Sequence, residues 1–402
     1  MRFTRKLRKI YANIAAARGK TKEERRRIRR DILGKYREDF AHQGCDCTAL
    51  QVSVAMQDMN FPLEVREARR LIVVLVPEHN AMSGGIYSFF SIAEQMRRLR
   101  RVHGFEVVVM TRPNIEQLTY FRNTNFRNAE NVYRFAQLQL CTSVEEVYIH
   151  LPEYAVDTLS FELGEGDKEF LGGRKVYINI LNQNIKMMPE RDRMGSVFDI
   201  TPHVTQSVAH HAYYNQDRAD RYGLPTLLLP AYTDLTQYPA CGFNEKEKLI
   251  IYSLDESPFK DRCLAEISRV LPDFRLVEIK GVTFDSFMDL ATRCMFSITF
   301  GEGFDGYLAQ PIYQGGIGFA IYNDDFFPSE RFKEYFNIFS SGGQMVEEIC
   351  DRIKFLSSNE SAYSELNAAF LREYHELYSF DEYVDQIRKL TLRSFEIFPM
   401  ES

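Results

Sequence analysis

The sequence predicts an α/β protein built from two successive Rossmann-like units of parallel sheet, behind a basic helical arm. Three observations carry this. A chain of 402 residues exceeds one ordinary core and suits two domains of roughly 150 to 200 residues. Short β-rich apolar runs alternate with amphipathic helical stretches through both halves, the order of βαβ units. Glycine turns follow two of those runs at their carboxyl ends, where open parallel sheets receive ligands.

Composition narrows the class. With 45% hydrophobic and 26% charged residues, the chain reads as soluble and globular. It has no eighteen-residue apolar run and no signal-like stretch after Met1, so a cytoplasmic setting is expected. Seven cysteines, odd in number and widely spread, argue for reduced thiols. Cys45 and Cys47 lack a second pair, and no metal site is visible. Residues 1–40 hold fifteen Lys/Arg against five Asp/Glu, a net of +10, which leaves −16 on the remainder for an overall −6. Phe3, Leu7, Ile10 and Ile14 recur there at helical spacing beside Arg and Lys. That pattern fits an anionic membrane surface, or a solvated basic helix. The body carries no nucleic-acid module, and no nucleic-acid partner is expected.

Four divisions are expected: the arm and lead-in 1–69, a first Rossmann-like unit 70–239, a second 240–378, and a terminal helix 379–402. In the first unit, Arg70–Val76 is the clearest buried strand. It runs into a turn holding Ser83, Gly84 and Gly85, small residues that let a ligand meet backbone N–H groups or that simply make a tight turn. A helix from Ile86 to about Val102 and a strand Phe105–Met110 follow. The Ser83–Gly85 turn is not a GxGxxG fingerprint and no acidic residue is placed as that fingerprint requires, so NAD is not expected. Strands Glu146–Leu151 and Lys175–Leu181 end at Glu153 and Asn182. Both face the same crevice if the sheet is parallel, or else cap the next helix. His210 and His211 are adjacent; on a helix one would face the crevice and the other solvent.

The second unit opens with strand Lys248–Tyr252, followed by a loop from Ser253 that includes Lys260 and Arg262, then helix Cys263–Val270. Strand Phe274–Ile279, a loop at Gly281 and helix Asp285–Arg293 come next. The apolar run Cys294–Phe300 leads to a Gly-Glu-Gly turn with Glu302 and Gly303. A short helix, Tyr307–Tyr313, carries Gln310, and Gly315-Gly316 ends it before strand Gly318–Tyr322. Residues 345–395 read as helical.

The stretch EGFDGYLAQPIYQG, Glu302 to Gly315, resembles without a gap the Glu-x7-Glu signature of retaining GT-B glycosyltransferases, which runs EGFG-LPLLEAMACG. Upstream, Tyr222-Gly223-Leu224-Pro225, the apolar Leu227–Leu229 and Ala231-Tyr232-Thr233-Asp234 resemble the family's "yG-Pro", strand and Asn-Gly-Val-Asp, in the required order. The resemblance implies a GT-B fold, two Rossmann-like domains facing a central cleft, with the terminal helix crossing back. It places Glu302 near the donor sugar and Gln310 near the nucleotide ribose, where glutamine departs from the family's charged residue. It places Lys260 and Arg262 on the donor phosphates, Gly281 by the base, Ser253 and Gly303 in the donor site, and Ser83–Gly85 in the first loop. Asp234 is a catalytic carboxylate or a hinge cap.

The function so implied is transfer of a sugar from a nucleotide-sugar to an acceptor hydroxyl, retaining, with no metal and no cofactor beyond the co-substrate. The acceptor expected is a growing bacterial surface glycan, lipopolysaccharide O-antigen or capsule, on a lipid carrier. UDP-, GDP- and dTDP-sugars are the family's norm, and CMP-Kdo is the alternative. A GT-B sugar-nucleotide epimerase and a non-catalytic nucleotide-binding scaffold remain the other readings.

Overall fold

The computed structural model describes residues 10–21, 24–25, 28–29, 32, 60–76, 84–111, 131–230, 232–233, 235–236 and 238–400. The chain divides into two compact units, 1–61 and 62–402. In the first, residues 10–16 are helical, with Ile10, Tyr11 and Ile14 exposed and Ala12 and Ala16 buried.

The second unit holds two parallel sheets. The first contains β1 (Arg70–Val76), β2 (Glu106–Thr111), β3 (Val132–Arg134), β4 (Glu146–Pro152), β5 (Lys175–Asn182), β6 (Val204–Val208) and β7 (Thr226–Leu228). Their order is β3-β2-β1-β4-β5-β6-β7. The second contains β8 (Glu247–Tyr252), β9 (Arg275–Glu278), β10 (Cys294–Ile298), β11 (Ile317–Ile321) and β12 (Ile338–Phe339), in the order β12-β11-β10-β8-β9. All pairings are parallel. The apolar runs seen in the sequence are these strands because a parallel strand covered on both faces must be apolar on both; β1 is buried from Leu71 to Val76.

Each order reverses once, between β1 and β4 and between β8 and β10. Crevices at such switch points, outside the carboxyl ends of the strands, are where open α/β sheets hold ligands. The residues delivered there are Glu153 after β4, Ser253 to Asp255 after β8, and Gly301 to Asp305 after β10.

The helices used below are α1 (Gly84–Arg98), α2 (Gln216–Tyr222), α3 (Lys260–Val270), α4 (Phe284–Arg293), α5 (Gly306–Tyr313), α6 (Gly342–Ser357), α7 (Glu360–Leu377) and α8 (Phe380–Thr391). One apolar cluster joins the two sheets: Ile72, Val74, Phe89 and Met96 on the first side share it with Ile251, Phe287 and Met288 on the second. Tyr87 of α1 stacks on Phe284 of α4, ring centroids 5.5 Å apart. α8 returns to the first sheet and buries Tyr383, Ile387 and Leu390. Each such side chain contributes about 1.5–3 kcal/mol. The Tyr383 hydroxyl meets Ser91 Oγ at 2.9 Å, and Arg393 joins Glu146 and lies 3.8 Å over the Tyr177 ring. Burial works to raise Glu146, but hydrogen bonds from Arg393 and Arg70 outweigh it and hold its carboxyl below the usual range. The strand edge at β7 is covered by the chain end through the Thr226–Ile397 bridge, which removes an open edge from solvent.

Candidate functional site

Glu302 lies in the turn after β10, where Gly303 follows it at φ +90°. A Cβ at Gly303 would sit 2.6 Å from Ile321 O. Glycine is therefore required there by backbone geometry, whatever else the turn does. The Glu302 carboxyl is pushed up to about 7, first by burial, then by Asp305 and Asp255; Lys186 opposes this and Glu153 adds to it. Glu302 Oε1 accepts from Asn184 Nδ2 at 3.1 Å.

Glu153 comes from the other sheet and is buried, 4% exposed. Its carboxyl is also pushed up to about 7, by burial, although backbone N–H groups pull the other way. Those include Gln183 N at 3.4 Å and Asn184 N at 3.2 Å. Asn184 thus holds one carboxylate from each half of the crevice, Glu153 with its backbone N–H and Glu302 with its side chain. Carboxyls poised near neutrality can give and take protons at working pH, and desolvation by the surrounding protein is what puts them there.

Asp305 is the N-cap of α5. Its Oδ1 accepts from Tyr307 N at 2.8 Å and Leu308 N at 3.1 Å, and its Oδ2 from Thr299 Oγ1 at 2.5 Å. Burial pushes its carboxyl up to about 6 against those hydrogen bonds. Asp255 approaches from the loop after β8, so closely that a Cβ at Gly301 would lie 2.6 Å from its Oδ2. A cleft of about 490 Å³ opens beside Gly301, walled by Phe259, Phe300, Tyr322, Asn323, Asp324 and Asp325. From the first half, Lys186 and Arg218 each reach Asp325 at 3.7 Å. Aromatic walls with carboxylates suit a hydroxyl-rich ring, which stacks on one and donates to the other.

The structure distributes the remaining sequence candidates unevenly. Lys260 is buried, its Nζ donating to Leu254 O at 3.0 Å and Glu278 Oε1 at 3.3 Å. Arg262 is exposed in the first turn of α3. Ser253 is fully buried and accepts from Phe300 N at 2.9 Å, tying the ends of β8 and β10 together rather than facing a ligand. Gly281 occupies an exposed left-handed turn at φ +63°. Gln310 sits on α5 with its Oε1 buried and without a hydrogen-bond partner.

Asn182 is 1% exposed and donates to Gln206 at 3.5 Å, inside the sheet rather than in the crevice. Gly84 and Gly85 open α1 itself instead of preceding it, and Gly85 O accepts from Gln183 Nε2 at 3.3 Å. Ser83 and Asp234 lie outside the described residues. The two histidines are not split between crevice and solvent, because they lie in the turn after β6 and not on an α-helix. His210 packs edge-on against Phe326, and burial pushes it down to about 4. His211 packs against Tyr378 and is lowered by burial too.

Residues the sequence did not single out are Asn184, Lys186, Arg218, Asp255, Asp305 and Asp325. Asn184 was visible only as the last of three strand-end amides. Asp305 carries the ordinary N-cap signal of an aspartate before a helix, and the others carry no local signal. Among the described residues no group of three or more His, Cys, Asp or Glu is placed to hold a metal ion, and no helix is long and apolar enough to cross a membrane.

No family model and no curated protein matches the chain. Solved structures do. A sucrose-phosphate synthase from Thermosynechococcus elongatus is similar at TM-score 0.52 and 9% identity, covering 81% of this chain and 99% of its own. A UDP-N-acetylglucosamine 2-epimerase matches at TM-score 0.45 and 11% identity, over 75% of this chain and 91% of its own. A DNA-modifying β-glucosyltransferase matches at TM-score 0.42 and 8% identity, over 80% of this chain and 99% of its own. At such identities the likeness is one of fold. With the two parallel sheets above, the likeness to the synthase shows the GT-B architecture of two Rossmann-like units.

Proposed function

We propose that this chain is a glycosyltransferase that moves a sugar from a nucleotide-sugar donor to an acceptor hydroxyl. One observation carries the reading: two carboxyls held near neutrality, Glu153 and Glu302, meet at one asparagine from opposite switch points. Glu302 sits beside the donor sugar, where the cleft next to Gly301 offers aromatic walls and carboxylates for its hydroxyls. Glu153 takes the acceptor's proton as the new C1–O bond forms on the same face of the sugar from which the phosphate departs, so configuration is kept; the bond from C1 to the phosphate oxygen breaks, and its electrons leave with the nucleotide. Gln310, with a free buried acceptor, receives a ribose hydroxyl. Retention of configuration, independence of metal and of any cofactor, and an acceptor in bacterial surface-glycan synthesis come with the resemblance around Glu302. The carboxylates around Glu302 favour a neutral sugar over an acidic one such as Kdo, whose own carboxylate would be repelled.

The arm fits the same picture. Ile10, Tyr11 and Ile14 are exposed on a basic segment, a composition that seats a helix on anionic lipid. The full chain is expected to sediment with anionic but not neutral vesicles; equal recovery with both would remove the membrane from the proposal.

The reaction itself is tested first by ligand stabilisation with UDP, GDP, dTDP and CMP and their sugar conjugates. A ligand present at a hundred times its Kd adds about 2.7 kcal/mol. One nucleotide class is expected to raise Tm, more so with its neutral sugar attached. The absence of a shift with all of them would contradict the transferase reading.

A further inference from the structure

The resemblance seats the donor's phosphates on Lys260 and Arg262, on the second sheet's side. The charges in the structure are arranged otherwise. Lys260 is committed to Glu278 and to Leu254 O. The amino end of α5, where a phosphate would ordinarily find free backbone N–H groups, is filled by the carboxylate of Asp305. Around Glu302 stand Asp305, Asp255 and Glu153, with Lys186 as the opposing cation. A diphosphate entering that field needs positive charge; neither Lys260 nor the amino end of α5 is free to supply it, and on that side Arg262 remains, exposed on α3.

Lys186 and Arg218 are held by longer ion pairs. Both come from the first half of the crevice, Lys186 just past Asn184 and Arg218 on α2. They converge on Asp325, a wall of the 490 Å³ cleft, at 3.7 Å each. These contacts are long, and the side chains of Lys186 and Asp325 are 59% and 37% exposed, while that of Arg218 is half-buried at 24%. Such pairs exchange partners at little cost. A phosphate with several charged oxygens is a better partner for two cations than one carboxylate at that distance.

We propose that Lys186 and Arg218 are the clamp for the donor's phosphates, and that Asp325 is the placeholder that keeps them aligned until donor arrives. The inference rests on the transferase reading and adds the residues that hold its leaving group. Donor binding then swaps Asp325 for phosphate and ties the first half of the crevice to a ligand seated on the second.

Titration calorimetry with UDP, GDP, dTDP, CDP and CMP tests this on the full chain. It compares the wild type with the Lys186→Ala/Arg218→Ala pair, Asp325→Asn and Lys260→Met. A charge-assisted contact is worth about tenfold in Kd or more. The double variant is expected to bind its nucleotide on the order of a hundredfold more weakly and to lose most of the salt dependence. Asp325→Asn is expected to bind several-fold more tightly, and Lys260→Met, first shown to be folded because it strips Glu278 of a buried partner, to stay within about twofold of the wild type. A double variant that binds as the wild type does overturns the clamp while leaving the transferase reading standing. A well-folded wild type that binds none of the five overturns both.

Discussion

Glu302→Gln is expected to make the fold more stable at about pH 8 and to leave it unchanged below about pH 4.5. The carboxyl of Glu302 is raised from an ordinary 4.5 to about 7, chiefly by burial. A folded-state value above the unfolded one means that the folded chain binds more protons between those two values. Stability therefore falls as pH rises through that window, and the loss is complete above the folded value. Glutamine removes the ionisation but still accepts from Asn184 Nδ2, the contact Glu302 makes at 3.1 Å. The full shift corresponds to about 3 kcal/mol, and the opening to the crevice reduces this to roughly 1–2 kcal/mol. Denaturant unfolding of both proteins at the two pH values measures it. Equal stability at both, or a loss at the higher pH, would mean that Glu302 is a structural anchor and not a strained site group. Glu153 is raised in the same direction, so Glu153→Gln should add to the effect less than independently, since the two carboxyls feel each other.

Gly318→Ala is expected to cost about 2–4 kcal/mol and to displace the helix that carries Gln310. Gly318 lies in β11 against α5. A Cβ there would meet Leu308 O at 2.7 Å and Leu308 Cα at 2.9 Å. These are backbone atoms, so no rotamer change can relieve the contact. Gly318 O is itself fixed by Asn337 Nδ2 at 2.6 Å, which prevents the strand from simply sliding away. Either α5 moves outward, taking with it the Asp305 cap and the turn at Glu302, or the strand loses its register with β10. Thermal unfolding should show the loss directly. A variant as stable as the wild type, with unaltered nucleotide binding, would mean that β11 and α5 are not packed this closely.

The two Rossmann-like units were legible because parallel strands covered on both faces must be written as largely apolar runs; β1 is such a run from Leu71 to Val76, and β10 is one apart from its buried Ser297. Glu153 and Glu302 were legible as carboxyls at strand ends, since chain order alone puts those positions at the carboxyl edge. What could not be read was side-chain direction. Asn182 is the last residue of β5, and the alternation of the strand still governs it, turning it into the sheet toward Gln206. Asn184, two residues on and out of the strand, reaches Glu302 instead. Lys260 looked like a crevice cation because only the fold brings Glu278 from the end of β9 to neutralise it. Asp305 is the residue type that ordinarily caps a helix, but with the helix expected from Tyr307 it stood one position too early to be read as the cap. The cations that meet the crevice, Lys186 and Arg218, are separated from Asp325 by more than a hundred residues, beyond any local pattern.

The most direct test of the central claim is release of nucleoside phosphate from a panel of UDP-, GDP-, dTDP- and CMP-sugars, in wild type and Glu302→Gln side by side. The account predicts turnover of one neutral-sugar donor class, accelerated by acceptor, unaffected by a chelator, and reduced about a hundredfold or more in the variant. Release at equal rates from both proteins, or from neither while both remain folded, would contradict it.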